Sequence, residues 1–417
     1  MKIKMTLRQV RTTIIVFALM LFSAGVGYYG GQHEIKISSS GTQSRVTIDR
    51  KVPLGKEDVD FSLFWETWDK LKLSYLDKSA LDDKKMVYGA IQGMVSSLGD
   101  PYTVFLPPTE QKQSRDDLAG EFDGVGIQLG YKDEKLAVIA PLSGTPADKA
   151  GVKAGDLILK IKDVTKSVDK ETTGMTLPEA VNLIRGSRGT KVILTFLREG
   201  EPAPFDIDLT RGVILVKSVE VKIDKGIARL SLTRFGEKTN QEWDESVNKI
   251  LAEQVGGNAK GVVFDLRNNP GGFLQGAVYI ASEFLADGVV VKQENAGELG
   301  TDVLSVNRKG RLLDIPLIVL VNQGSASASE IVAGALQERG RAKLVGEKTF
   351  GKGTVQEAEE LPGGSGLHVT IAKWLLPNGT NIHKEGIRPD FEVKMDTKDQ
   401  TKDPQLDMAM ELLKNGN

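Results

Sequence analysis

The chain has 417 residues, enough for two to four domains at roughly 100–200 residues each. A formal net charge of −2 gives no reason to expect nucleic acid as a partner, and the lack of cysteine excludes disulfides, thiolate catalysis and cysteine-based zinc sites. There are three histidines, His33, His368 and His383, and a metal site would need most of them together, so neither metal nor cofactor is expected.

Lys2, Lys4, Arg8 and Arg11 precede an apolar run over residues 14–29. At 1.5 Å per residue that run is ~24 Å long, short of a ~30 Å hydrocarbon core, and extending it to 10–31 lets it span. A cleaved signal peptide shares this layout, but Phe22-Ser23-Ala24 is a poor cleavage site. Residues 1–31 therefore read as a single-pass membrane anchor, and the preceding positive charge places the bulk of the chain outside. Residues 32–60 read as a polar linker.

From residue 61 the pattern turns helical. Phe61, Phe64, Trp65, Trp68, Leu71 and Tyr75 recur at spacings of three and four. Trp65 and Trp68 on one apolar stripe suit either a homodimer contact or packing within their own domain. A second helix is expected over 83–98, stopped by Gly99-Asp100-Pro101, and the helical region 61–117 has its last signal at Pro107-Pro108. Residues 118–212 hold short β-rich runs (126–129, 136–140, 157–161, 191–197) with helical patterns at 147–150 and 177–185. In 213–395 strands and helices alternate: 262–266, interrupted only by Asp265, and 317–321 are apolar runs, as in strands covered on both faces, and helical patterns follow at 273–286 and 328–338. A tail, 396–417, ends in a short amphipathic helix.

Three segments carry chemistry. Asn322–Glu330 is a strand-to-helix turn that exposes side chains and aims free N–H groups at a ligand. Ser325, Ser327 and Ser329 compete there as nucleophile, or as a plain helix cap. In Lys348–Gln356 a strand would place Lys352 and Gln356 on one face. A buried, neutral lysine can act as a base, and a carboxamide can hold it; an exposed hairpin lysine is the commoner role. Asp265–Gly272 follows a buried strand, and its glycine N–H groups suit an oxyanion.

Together these three segments, with Gly386-Ile387-Arg388-Pro389-Asp390, resemble the C-terminal processing peptidases, also called tail-specific proteases, over roughly residues 60–395. The resemblance implies a serine endopeptidase with nucleophile Ser327, base Lys352 and lysine-orienting Gln356. It implies oxyanion donors at Ala328 and at Gly271 or Gly272, with Glu330 and Thr349 in support. Residues 118–212 look like a PDZ domain, with Phe122, Gly124, Val125, Gly126 and Ile127 similar to its carboxylate-binding loop. The expected fold is multidomain α+β: behind the anchor read from the N-terminal charge and apolar run, the resemblance implies a helical region, a PDZ domain and an α/β, crotonase-like catalytic core at 213–395. Implied partners are protein substrates with exposed apolar C-terminal tails, at a bacterial cell membrane. Two rivals stand beside this reading: a histidine base, His368 or His383, in an ordinary triad, and a non-catalytic PDZ scaffold or chaperone-like binder.

Overall fold

A computed structural model describes residues 60–297, 299–395, 399 and 402–415. The expected anchor at 1–31, and the linker up to residue 59, lie outside the described residues. Among the described residues no helix is long and apolar enough to cross a membrane. The described residues divide into two compact units, one up to residue 84 and one from residue 85 on.

In the first unit, helix α1 (Ser62–Ser74) gathers Phe61, Phe64, Trp65 and Trp68 into one ring cluster, with centroids 4.9–6.2 Å apart. Trp68 is buried, whereas Leu63, Leu71 and Leu73 are exposed. Helix α2 (Asp83–Ser96) runs into the second unit.

There Val104–Leu106 forms β1, a strand where only helix was expected, and it pairs with a distant strand at Gly366–His368. Pro107-Pro108 is not a stop. Pro108 begins α3 (Pro108–Ala119), because the first turn of a helix needs no N–H from its opening residues.

Next come β2 (Glu121–Gly124), β3 (Ile127–Lys132), β4 (Lys135–Pro141), α4 (Pro146–Lys149), β5 (Leu157–Asp163), β6 (Val168–Glu171), α5 (Leu177–Ile184), β7 (Lys191–Leu197), β8 (Phe205–Thr210) and β9 (Gly212–Leu215). Strands β3-β4-β5-β7-β8 make one sheet, with β6 beside β5, around a core that includes Leu136, Ile158, Ile161, Leu194 and Phe196. β2 and β9 pair antiparallel, so both ends of this domain leave through one two-stranded ribbon.

The remainder holds β10 (Val219–Asp224), β11 (Ile227–Leu232), α6 (Thr239–Val255), β12 (Gly261–Asp265), α7 (Leu274–Ala281), β13 (Val289–Asn295), β14 (Thr301–Ser305), β15 (Leu317–Val321), α8 (Ala328–Glu338), β16 (Lys343–Gly346), β17 (Thr354–Leu361), β18 (Ser365–Leu375), β19 (Phe391–Glu392) and α9 (Pro404–Asn415). The central sheet runs β10-β11-β12-β15-β16-β19, parallel from β11 onward. β15 is wholly apolar, and β12 is apolar up to Asp265, because alternate residues of these two central strands serve two cores. Val262, Phe264, Val319 and Val321 pack with residues of α6, α7 and α8, while Val263, Ile318, Leu320 and Val345 pack with Ala409 and Leu412 of α9. The tail is thus a layer of the core rather than an appendage. Helix α7 ends at Ala281, short of the expected 286, where buried Glu283 takes hydrogen bonds from Trp243, Arg308 and Arg311. A second sheet, β1-β18-β13-β14 with the β17 hairpin on β18, carries the lysine segment.

Candidate active site

β12 and β15 are parallel neighbours, so the loops at their carboxyl ends lie side by side. The β15 loop turns into α8 at Ser327, which takes φ 54° and ψ −116°. Such a conformation costs a non-glycine residue about 1–3 kcal/mol and persists only where neighbours over-determine it. Here they do: Ser327 N–H donates to Glu330 Oε2 at 2.8 Å, and its carbonyl accepts from the N–H groups of Glu330 and Ile331.

The three serines separate on chemistry. Ser325 is fully buried and donates to the Leu266 carbonyl at 2.8 Å; Ser329 is fully buried and donates to the Asn269 carbonyl at 2.9 Å. Both hydroxyls fasten the elbow to the β12 loop. Ser327 is half-buried, its hydroxyl donates to no protein acceptor, and it opens on a cavity shared with Pro270, Gly272, Phe273, Ile331, Lys352, Gln356, His368 and Trp374.

The β12 loop explains its glycines. Gly271 (φ 104°) sits so close to the elbow that a Cβ there would lie 2.8 Å from Ser327 Cβ and 3.0 Å from Ala328 N. Gly272 (φ 138°) presses on the backbone of Phe235. Of the two expected donors, Gly271 gives its N–H to Asn269 Oδ1 at 2.9 Å. That leaves the N–H groups of Gly272 and Ala328 unspent on other protein atoms, the latter at the positive end of α8.

Lys352 lies just before β17, not within it, and a bulge between Val355 and Gln356 breaks the strand's alternation. The face-sharing expected for Lys352 and Gln356 therefore does not follow from strand parity. The cavity brings them together instead. Gln356 makes no hydrogen bond to Lys352. Its Nε2 donates to Thr354 Oγ1 at 2.9 Å and Thr370 Oγ1 at 3.2 Å. The Lys352 ammonium lies 5.1 Å from the centre of the Tyr102 ring and makes no hydrogen bond to Ser327. Burial lowers its pKa below the ordinary value, although the charges of Asp100 and Glu330 pull the other way.

Glu330 joins the two halves. It is fully buried; Oε1 accepts from Thr349 Oγ1 (2.6 Å) and Gly351 N (2.7 Å), and Oε2 from Ser327 N and Lys352 N (2.9 Å). Burial pushes its pKa up, more than these hydrogen bonds pull it down. Thr349 in turn accepts from Ile387 N at 2.7 Å, which is where the Gly386–Asp390 motif braces the site.

Sequence reasoning missed Tyr102, Asp100, Thr370 and Trp374. Trp374 Nε1 donates to the Lys352 carbonyl at 2.8 Å. Asp100-Pro101-Tyr102 reads only as a helix stop, and nothing local in the sequence joins it to Lys352. Neither His368 nor His383 hydrogen-bonds Ser327. Burial and the nearby Lys352 charge lower the His368 pKa, and the His383 ring lies 6.2 Å from that of Tyr102.

In the PDZ-like domain the five expected residues line one groove together with Leu129, Val181, Ile184 and Arg185, between β3 and α5. β3 ends its sheet and offers a free edge along that groove.

Comparison with known proteins matches the model for peptidase family S41 over residues 226–393, that for the PDZ domain over 138–198, and that for the activating protease CtpB N-terminal domain over 20–109. The carboxy-terminal processing protease CtpA of Bacillus subtilis (strain 168) is 37% identical over 398 residues, spanning 95% of this chain and 78% of that protein. The carboxy-terminal-processing protease of Bartonella bacilliformis is 40% identical over 333 residues, 79% and 74% of the two chains. A crystal structure described as an S41 protease from Bacteroides fragilis shares the fold at a TM-score of 0.54 with 16% identity, covering 84% of this chain and 97% of that one. The chain belongs to the carboxy-terminal processing proteases, serine-type peptidases of family S41 that here combine a peptidase domain with a PDZ domain.

Proposed function

We propose that Ser327 and Lys352 form the catalytic dyad of an endopeptidase whose PDZ groove receives unstructured, apolar C-terminal tails. The observation that carries this reading is the one elbow hydroxyl that donates to no protein acceptor, Ser327, opening on the same cavity as a buried lysine. An extended tail adds to the free edge of β3 with its carboxylate at the Phe122–Ile127 loop. The polypeptide then reaches Ser327. The lysine stem swings its neutral amine from the Tyr102 face to the hydroxyl, which loses its proton to that amine as Oγ attacks the scissile carbonyl. Gly272 and Ala328 N–H groups receive the oxyanion. The leaving amine takes the proton back from Lys352, and water, activated by the same amine, releases the acyl group. Gln356 serves as the orienting group, since its Oε1 accepts nothing else and is free to take an N–H from the amine.

We place this activity on the outer face of a bacterial cell membrane, held by residues 1–31, whose charge and apolar layout support an anchor. The exposed leucines of α1 support a homodimer contact there.

The test uses the full chain and a disordered peptide ending in apolar residues. Wild type is expected to cut it. Ser327→Ala and Lys352→Ala are expected to bind it without cutting, and His368→Ala and His383→Ala to retain measurable cleavage. Loss confined to the histidine variants would overturn the lysine mechanism. A peptide bound intact by wild type would favour a scaffold.

A further inference from the structure

Arg267 opens the loop that ends in Gly271 and Gly272, yet it does not line the catalytic cavity. Its guanidinium makes a bidentate pair with Asp403, Nη1 to Oδ1 at 2.8 Å and Nη2 to Oδ2 at 2.9 Å. Nη1 also donates to Gln405 Oε1 at 3.0 Å, while Nε and Nη2 reach the two oxygens of Asp265 at 2.9 and 2.8 Å. The Arg267 side chain is only 9% exposed and Gln405 is fully buried. Asp403 also serves the helix that follows it, since its Oδ1 accepts the Leu406 N–H at 3.0 Å at the start of α9. One carboxylate thus caps α9 and grips the loop.

The grip is passed on residue by residue. Asn268, at φ 57°, exchanges two hydrogen bonds with the Asn322 side chain at 2.8 and 2.9 Å. Asn269 then holds Gly271 N–H through its side chain and receives Ala326 N–H at its carbonyl. A planar guanidinium between two carboxylates fixes direction as well as distance. For an oxyanion donor, a misplacement of about 1 Å costs on the order of 100-fold in rate.

We propose that α9 belongs to the catalytic apparatus, with Asp403 and Gln405 acting through Arg267 as positioning residues for the oxyanion loop. This rests on the reading of Gly272 as an oxyanion donor. The rate of a tail-cleaving enzyme therefore depends on residues close to its own carboxyl-terminal helix, more than 130 positions beyond the loop they hold.

The experiment compares full-length variants on a disordered peptide substrate, with functional sites counted by a serine-reactive fluorophosphonate. Asp403→Asn keeps a good helix cap and removes the carboxylate. Arg267→Lys keeps the charge and removes the fork. Each is expected to lower kcat per titrated site at least tenfold with KM within twofold. Val247→Ala, a core truncation on α6, should lower Tm without changing kcat at 25 °C. Values of kcat within twofold of wild type for both Asp403→Asn and Arg267→Lys would overturn the proposal. So would a loss no larger than that of Val247→Ala at matched Tm. A wild type that cuts nothing would instead remove the protease reading, and this one with it.

Discussion

Ser327 and Lys352 donate their backbone N–H groups to one atom, Oε2 of Glu330, at 2.8 and 2.9 Å. No hydrogen bond joins their side chains in this structure, so what holds the two segments in register is a shared buried acceptor. The other oxygen takes Thr349 and Gly351. One carboxylate therefore sets both the strained elbow and the loop from which the lysine stem rises.

Glu330→Gln tests that clamp. The amide nitrogen is best placed at Oε1, where the Thr349 hydroxyl can turn to accept, but it then faces the Gly351 N–H. A buried unsatisfied donor costs about 1–3 kcal/mol. We expect a loss of stability of about that size in urea titration, and a fall in peptide cleavage of at least tenfold. Unchanged stability and cleavage would remove Glu330 from this role.

Lys352 gives a pH dependence of definite sign. Burial lowers its folded pKa below the unfolded value of about 10.4. Only the neutral amine is a base, so kcat/KM should rise with pH and level off above the lowered pKa. Between the two pKa values the unfolded chain binds more protons, so this residue's contribution to stability also rises with pH across that window. Lys352→Met should therefore be inactive and more stable than wild type at pH 7, by an amount that shrinks towards pH 10. A pH–rate profile flat from 5 to 9, or a less stable Lys352→Met, would contradict a desolvated base.

How much of this was legible depended on whether a feature is local. The apolar runs at 262–266 and 317–321 announced a sheet covered on both faces, because each strand must feed two cores. The 17-residue α6 went unread, although Trp243, Val247 and Ile250 recur at helical spacing. Pro108 misled because proline is as much a helix opener as a helix stop. At the site, spacing alone left three serines open. What separates them is where two of the hydroxyls go, and that depends on Leu266 and Asn269, some 60 residues away. Lys352 and Gln356 were paired by strand parity, which Gly353 and the bulge at Gln356 void. Tyr102 reaches Lys352 through the tertiary pairing of β1 with β18, which no local pattern states, and Trp374 through the register of the β17–β18 hairpin.

Gly271→Ala isolates the close approach of the two loops. At φ 104° alanine is strained, and its Cβ would meet Ser327 Cβ at 2.8 Å and the Ala326 carbonyl at 2.9 Å. The φ penalty alone exceeds about 1 kcal/mol. Relief requires the β12 loop to back away from the elbow, carrying Gly272 N–H with it. Cleavage should fall at least 100-fold, while tail-peptide binding at the PDZ groove stays within twofold of wild type by fluorescence anisotropy. Full activity in Gly271→Ala would mean that the two loops need not touch.

Val181→Asp addresses the other end of the substrate. Val181 lines the groove between β3 and α5 with Ile127, Leu129 and Ile184, where an apolar tail side chain would be buried. Burying an apolar side chain of leucine size is worth about 1.5–3 kcal/mol, and a carboxylate on the wall both removes that gain and repels the tail's own carboxylate. In the Ser327→Ala background, so that bound peptide is not consumed, Val181→Asp should weaken tail binding at least tenfold. In the active background it should raise KM for tail peptides. Hydrolysis of a small activated ester, too short to reach the groove, should change much less than tail cleavage. If Val181→Asp bound tails as tightly as its parent, the groove between β3 and α5 would not be where they dock.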